Sequence, residues 1–165
     1  FAQLVSVMEE MHKTELPSFE PSFALYIYEE IEQKISACML NDRFQEFSSY
    51  PEILFNGKKV AGMQHILSEY VEMFRSVYKN PIETFTHGNL TLENILYQPK
   101  NNKIIFIDPY EENIIDSSLS EYSQILQSSN SLYELYNAGA PVIEGNRVSI
   151  DIDIPNGLKY FNKIF

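Results

Sequence analysis

The sequence predicts an α+β domain, mainly α-helical, that spans residues 1–165 as a single unit. The chain has 165 residues, enough to fill one hydrophobic core and too few for two. Its composition is 44% hydrophobic and 13% aromatic, which is typical of a globular chain. In long stretches, apolar residues recur at helical spacing. In the central region, short apolar runs are separated by turn residues, as is typical of strands.

The first part of the chain is predicted to be helical. Apolar residues recur at helical spacing from Phe1 to Thr14, and Pro17 stops the pattern. A second helix is predicted from about Phe23 toward Phe44. Its apolar stripe consists of Phe23, Ile27, Ile31, Ile35, Cys38 and Met39. Cys38, the one cysteine of the chain, is therefore expected to be a buried, reduced thiol.

A turn at Asn56-Gly57 precedes the third helix, which has the clearest amphipathic pattern. Its predicted core-facing stripe consists of Met63, Ile66, Leu67, Tyr70, Val71, Phe74 and Val77. Asn80-Pro81 is expected to end this helix. A fourth helix is predicted roughly from Ser120 to Asn137, before Gly139. Its predicted inward-facing residues are Tyr122, Ile125, Leu126, Leu132 and Tyr133.

Two regions are predicted to form β-hairpins. The apolar runs 94–97 and 104–107 flank the polar link QPKNNK, a pattern typical of two short strands joined by a turn. Near the C-terminus, VIEGNRVSIDID alternates around Gly145-Asn146 and indicates a second hairpin. The first hairpin has polar residues at its ends, whereas the spare helix faces look solvated. We therefore expect a functional site beside the first hairpin.

The charge of the chain argues against two classes of partner. A formal net charge of −11 is unfavourable for binding nucleic acid or an anionic membrane, since both attract basic patches. A bound phosphate would need a divalent cation or a basic segment from elsewhere. The sequence has no apolar run of membrane-spanning length and no signal-peptide pattern, so a cytoplasmic protein is expected. Both ends lie within amphipathic patterns, which predicts a longer full-length protein.

The segment THGNLTLENILYQ, residues 86–98, has the layout of a kinase-type phosphoryl-transfer loop. Such a site needs an oriented acceptor hydroxyl and metal ions that neutralise phosphate oxygens. A kinase-type loop supplies an Asp near the acceptor, an Asn five residues later on a metal, and a second Asp after a nearby strand. The corresponding positions here are Asn89, Asn94 and Asp108, and His87-Gly88 opens the loop.

HGNLTLENIL followed by IIFIDP resembles the catalytic loop and metal segment of the aminoglycoside phosphotransferase and choline kinase-like family. The resemblance implies the helical C-terminal lobe of a protein-kinase-like fold, with a small β-hairpin carrying the catalytic and metal segments. It implies ATP- and Mg²⁺-dependent phosphorylation of a sugar, aminoglycoside or choline-like hydroxyl. LVSVMEEMHK and DSSLSEYSQILQS, with Glu121 near a position often held by Asp, match more weakly. Only residues 87–108 are specific.

The resemblance implies roles for individual residues. Asn94 and Asp108 would bind Mg²⁺ and, through it, ATP, whereas His87 would support the loop by hydrogen bonding. Asn89 occupies the catalytic Asp position, and a neutral amide cannot take the proton of the acceptor. The open explanations are an engineered inactivation, a natural pseudoenzyme, or substitution by a nearby acid. The candidate acids are Glu93, Glu111 and Glu112.

The family's nucleotide-gripping N-terminal lobe, with its glycine loop and strand lysine, is not recognisable in residues 1–165. We expect it in the full-length protein, and we expect this chain alone to bind ATP weakly or not at all.

Each residue also has a purely structural interpretation. His87 fits a turn histidine, Asn94 a loop cap and Asp108 a turn starter. His12 and His65 lack ligand spacing to another His, Cys or acid, so structural or solvated roles are expected for both.

Three functions are compatible with this sequence. The first is a small-molecule phosphotransferase, in which the pair Glu111-Glu112 is either a solvated turn or an acidic wall for a cationic substrate. The second is a catalytically dead kinase-like binding or regulatory module. The third is a helical interaction domain in which the loop match is accidental. The amide at Asn89 separates the first two.

Overall fold

The computed structural model describes residues 2–17, 22–77, 82–161 and 163. Within them the chain has an α+β fold that is mainly helical, as the sequence predicts. The chain divides into two compact units. Unit 1 comprises residues 1–19, 81–138 and 153–165, and unit 2 comprises residues 20–80 and 139–152. The expectation of one domain stays a prediction. No helix in the described ranges combines the length and apolarity needed to cross a bilayer.

The helices are α1 (Ala2–His12), α2 (Ser22–Tyr26), α3 (Lys34–Cys38), α4 (Asp42–Ser49), α5 (Met63–Val77), α6 (Ser118–Ser129), α7 (Tyr133–Ala138) and α8 (Asn156–Phe161). The strands are β1 (Glu15–Leu16), β2 (Glu52–Phe55), β3 (Lys58–Ala61), β4 (Glu83–Thr84), β5 (Ile95–Gln98), β6 (Lys103–Phe106), β7 (Val142–Glu144) and β8 (Arg147–Ser149). A π-helical segment, Ile27–Gln33, joins α2 to α3, and 3₁₀ turns occupy Leu92–Asn94 and Pro99–Asn101.

The core of unit 1 is a cluster of buried apolar side chains: Leu4, Met8, Leu90 and Ile125. Leu4 and Met8 lie one turn apart on α1, as the sequence pattern predicts. Ile125 belongs to α6, and Leu90 belongs to the loop before β5. Burying each such side chain contributes about 1.5–3 kcal/mol, so this loop is anchored in the core.

The predicted central hairpin is confirmed. β5 pairs antiparallel with β6, in a register that runs from Ile95↔Phe106 to Gln98↔Lys103. Asn102 follows the connecting turn in the left-handed conformation, with φ of 49°, which Asn tolerates better than most residues. The hairpin packs on the core cluster through Ile95, Ile104 and Phe106.

The fourth predicted helix, residues 120–137, is in fact two helices, α6 and α7. At the N-terminus of α6, the Ser117 hydroxyl accepts a hydrogen bond from Ser120 N and caps the helix. Leu132 separates the two helices, because its φ of +56° cannot continue a right-handed helix.

The predicted inward face of the fourth helix is partly wrong. Leu126 and Tyr133 are each 42% exposed. The buried side chains of α6 are instead Glu121, Ile125, Ser128 and Ser129. Three of these four residues are polar, so an apolar pattern could not identify this face.

In unit 2, the second predicted helix ends earlier than expected, because Asn41 starts the separate helix α4. The Asn41 side chain accepts hydrogen bonds from Arg43 N and Phe44 N at 3.0 and 3.2 Å. Each turn of the π-helical segment contains about one residue more than an α-helical turn. Cys38 is therefore rotated away from the apolar stripe that α-helical spacing predicts. Cys38 is exposed, and the prediction of a buried thiol is wrong.

A four-stranded sheet in the order β3-β2-β8-β7 completes unit 2. Asn56 and Gly57 form the predicted turn between β2 and β3, with positive φ values of 45° and 77°, which are typical of a type I′ hairpin turn. The predicted hairpin around Gly145-Asn146 is confirmed as β7 and β8. The parallel pairing of β8 with β2 joins the two hairpins and follows from no local pattern.

Helix α5 confirms the third predicted helix but not its burial in a core. Ile66, Tyr70 and Phe74 are 42%, 50% and 37% exposed. An amphipathic pattern identifies the apolar side of a helix and does not tell whether another element covers it. The predicted end at Asn80-Pro81 lies outside the described residues.

Candidate functional site

The candidate loop, residues 86–94, contacts α6 on one side and the end of the β5–β6 hairpin on the other. Ile107 N donates to Asn94 O at 3.0 Å, one step beyond the Ile95–Phe106 pair. Asp108 follows Ile107 directly. The register of the hairpin therefore brings Asn94 and Asp108 to the same end of the hairpin.

His87 is buried and connects the loop to the segment before Asp108. Its Nε2 donates to Ile107 O at 2.9 Å, and its Nδ1 accepts from Asn89 N at 3.4 Å. Because a carbonyl only accepts, Nε2 is assigned the proton. His87 O also accepts from Tyr110 N at 2.9 Å. Both ring nitrogens bond to backbone, so the geometry fits a supporting role and leaves no nitrogen for proton exchange.

Glu121 is fully buried, with 0% exposure, and holds the beginning of the loop. Its Oε1 accepts from the backbone N–H groups of His87 and Gly88, the latter at 3.2 Å. Its Oε2 lies 2.9 Å from His12 Nε2. A buried carboxylate is costly unless its oxygens are hydrogen-bonded, and here both are. His12 thus has a structural role, but with an acidic partner that sequence spacing did not identify.

Two more polar side chains of α6 bond to the loop backbone. Leu90 N donates to Gln124 Oε1 at 2.7 Å, and Gln124 Nε2 donates to Gly88 O at 2.8 Å. Leu92 N donates to Ser128 Oγ at 3.0 Å. Sequence reasoning missed Gln124 and Ser128 because it used the apolar positions of this helix. The sequence did contain a signal for these residues. Polar residues stand at positions 121, 124 and 128, three and four positions apart, which places them on one helix face.

Gly88 occupies a position that excludes a side chain. Its φ is +82°, and a Cβ there would lie 2.3 Å from Tyr110 O and 2.4 Å from Asn113 Nδ2. Only glycine fits at position 88, because the backbone of the loop and the segment after Asp108 approach each other closely there.

Asp116 is an acid that the structure places beside the loop. Its Oδ1 accepts from Thr86 Oγ1 at 2.6 Å and from Asn113 Nδ2 at 3.3 Å. The three acids that sequence proximity suggested, Glu93, Glu111 and Glu112, are exposed. Their carboxylates make no hydrogen bond or ion pair with the residues that the structure describes.

Asn94 and Asp108 present oxygen atoms suited to a hard cation. Asn94 is 7% exposed, and its Nδ2 donates to Asn89 O at 2.8 Å, which assigns Oδ1 as the remaining acceptor. Asp108 is exposed, and no described residue bonds to its carboxylate. Mg²⁺ commonly uses one or two protein oxygens together with phosphates and water. It therefore does not need a cluster of three or more His, Cys, Asp or Glu, a group that is absent among the described residues.

Comparison of the chain with protein-family models, with curated proteins and with solved structures finds no match. The interpretation of the site therefore depends on its residues and their geometry.

Proposed function

We propose that this chain is the helical lobe of a kinase-like small-molecule phosphotransferase, which transfers a phosphoryl group from ATP to a hydroxyl with the help of Mg²⁺. The observation that carries the proposal is the meeting of the loop and the metal segment at Ile107. There Ile107 N donates to Asn94 O, His87 Nε2 donates to Ile107 O, and Asn94 Nδ2 donates to Asn89 O. These bonds bring residues 89, 94 and 108 to one end of the hairpin. This proximity supports a phosphoryl-transfer site, in which the metal ligands and the residue beside the acceptor lie close together.

The oxygen donors at this end support a magnesium site. Asn94 Oδ1 is left as an acceptor by the bond from its own Nδ2 to the loop. The Asp108 carboxylate supplies the negative charge. When bound, Mg²⁺ would neutralise the phosphate oxygens that a chain of net charge −11 would otherwise repel.

An apolar face of the hairpin supports binding of a planar base. Leu96 and Ile105 are opposite each other in the ladder, and Ile107 follows two residues later. The three side chains are 46%, 37% and 39% exposed. An apolar surface next to a few polar groups is typical of a small-molecule site, and it suits a nucleobase whose phosphates reach Asp108.

Asn89 favours a second candidate function, a binding or regulatory module without turnover. A carboxylate at this position accepts the proton of the acceptor hydroxyl, and an amide does not. Loss of a general base lowers the rate on the order of a hundredfold to ten-thousandfold. The exposed pair Glu111-Glu112 would give either kind of site a preference for cationic ligands.

The substitution Asn89→Asp tests the proposal in the protein with any coding sequence that flanks residues 1–165. We expect Mg²⁺-dependent ADP formation to rise on the order of a hundredfold or more over a panel of hydroxyl acceptors. The matched control is Asp108→Asn in the same background, which should abolish that activity. No turnover with an intact Mg²⁺·ATP-induced shift of the Asn94 amide resonance would favour the binding module. Absence of both signals would refute a nucleotide site.

A further inference from the structure

We propose that Gln124 is a positioning residue that sets the direction of the side chain at position 89. The inference rests on the proposed function, and it concerns a residue outside the matched motif. Gln124 bonds to the backbone on both sides of Asn89: its Nε2 donates to Gly88 O at 2.8 Å, and its Oε1 accepts from Leu90 N at 2.7 Å.

These two bonds fix the backbone of residue 89. The carbonyl of Gly88 belongs to the peptide group before Asn89, and the N–H of Leu90 belongs to the peptide group after it. The relative orientation of two successive peptide groups is set by one φ and one ψ, those of the residue between them. A single carboxamide that bonds to both groups therefore constrains both angles.

The side chain of Asn89 is half-buried. It makes no hydrogen bond to the residues that the structure describes, whereas its backbone O accepts from Thr91 N and Asn94 Nδ2. The direction of its Cα–Cβ bond therefore depends on backbone angles that Gln124 holds together with the bonds of Asn89 N to His87 Nδ1 and of Asn89 O to Thr91 and Asn94. Any group at this position, amide or carboxylate, would be aimed by the same contact.

Helix α6 provides a rigid support for this contact. Gln124 lies between the buried residues Glu121 and Ser128 on the same face, and Ile125 anchors the helix in the core. A polar group held on a packed helix is placed more accurately than one on a loop. Ser128 bonds to Leu92 N independently, which gives the experiment an internal reference.

The first measurement is amide hydrogen exchange in Gln124→Met, with Gln127→Met as the matched control on an exposed position of α6. We expect exchange at Leu90 to accelerate at least about tenfold, because its acceptor is removed. Exchange at Leu92 should stay unchanged, and the side-chain amide resonance of Asn89 should shift. Gln124→Glu keeps an acceptor for Leu90 and should preserve its protection. Unchanged exchange at Leu90, or equal acceleration at Leu90 and Leu92, would overturn the proposal.

The second measurement separates this inference from the proposed function. In the Asn89→Asp background, Gln124→Met should lower kcat on the order of a hundredfold, since a misplaced reacting group has that effect. The KM for Mg²⁺·ATP should stay within about twofold, because the bonds from Ile107 N to Asn94 O and from His87 Nε2 to Ile107 O do not involve Gln124. An unchanged kcat would refute the positioning role alone. If Asn89→Asp shows no turnover, the phosphotransfer proposal fails, and the Leu90 exchange and Asn89 resonance still decide the role of Gln124.

Discussion

The imidazole of His12 lies 2.9 Å from the carboxylate of Glu121, although the two are 109 positions apart in the chain. The contact joins the end of α1 to α6. The other oxygen of the same carboxylate holds the N–H groups of His87 and Gly88. A residue near the N-terminus thus supports, through one buried acid, the loop that carries the proposed chemistry.

Glu121→Ala should destabilise unit 1 strongly. The substitution leaves two backbone N–H groups of the loop without an acceptor and removes the partner of His12. Each orphaned buried donor costs about 1–3 kcal/mol, so we expect the free energy of unfolding to fall by about 3 kcal/mol or more. Urea denaturation followed by circular dichroism measures it. Glu93→Ala, an exposed acid of the same loop, is the control and should change little. Equal losses in both variants would contradict the anchoring role.

Gly88→Ala should be strongly destabilising, whereas Gly157→Ala should not. A Cβ at Gly88 meets Tyr110 O at 2.3 Å, and the φ of +82° is unfavourable for alanine. The left-handed conformation alone costs about 1–2 kcal/mol, and the contact adds to it. Gly157 lies in α8 with no heavy atom within 4 Å of a Cβ. There alanine should be neutral or stabilise by about 0.5–1 kcal/mol. Thermal unfolding of the two variants gives the comparison, and similar midpoints would disprove it.

Sequence reasoning succeeded where a local rule decides the structure. Two short apolar runs that flank a polar link were sufficient to predict the β5–β6 hairpin. The hairpin register then fixes where residues 94 and 108 lie, because a ladder that pairs Ile95 with Phe106 must bring its flanking residues to one end. The register confirms the hairpin, and the roles of residues 94 and 108 stay a prediction.

Sequence reasoning failed where a distant partner decides the structure. The burial of Glu121 depends on His12 and on the loop backbone, and neither forms a pattern with it along the chain. Gln124 looked like a solvated polar residue because periodicity distinguishes faces only by apolarity. The burial of Cys38 was predicted wrongly because the π-helical segment before it shifts which residues lie on the apolar face of the helix.

Tyr122 should make the protein less stable at alkaline pH. Burial of its ring, and then the charges of Glu9 and Glu121, raise the pKa of its hydroxyl above the usual 10.0. The unfolded chain loses this proton first as the pH rises, so stability is intact below about pH 10 and falls above it. Between pH 8 and pH 11, we expect the thermal unfolding midpoint of Tyr122→Phe to fall less than that of the unsubstituted protein.

The effect of Tyr122→Phe should be partial. Burial also raises the pKa of Tyr26, which keeps some alkaline dependence in the variant. The control is Tyr160→Phe, which removes a hydroxyl from a ring that is 68% exposed. If the thermal unfolding midpoint fell equally in Tyr122→Phe and in the unsubstituted protein, Tyr122 would not be a source of the alkaline instability.

Asp108→Gly should be more stable than Asp108→Ala. Asp108 has a φ of +58°, a conformation that glycine adopts at little cost and alanine does not. In urea denaturation, we expect the free energy of unfolding of the glycine variant to exceed that of the alanine variant by about 0.5–1 kcal/mol. On the proposed function, both variants lose the Mg²⁺·ATP-induced shift of the Asn94 amide, because both lack the carboxylate. Non-glycine residues with positive φ cluster at functional sites. Equal stability of the two variants would show that the backbone at position 108 is not strained.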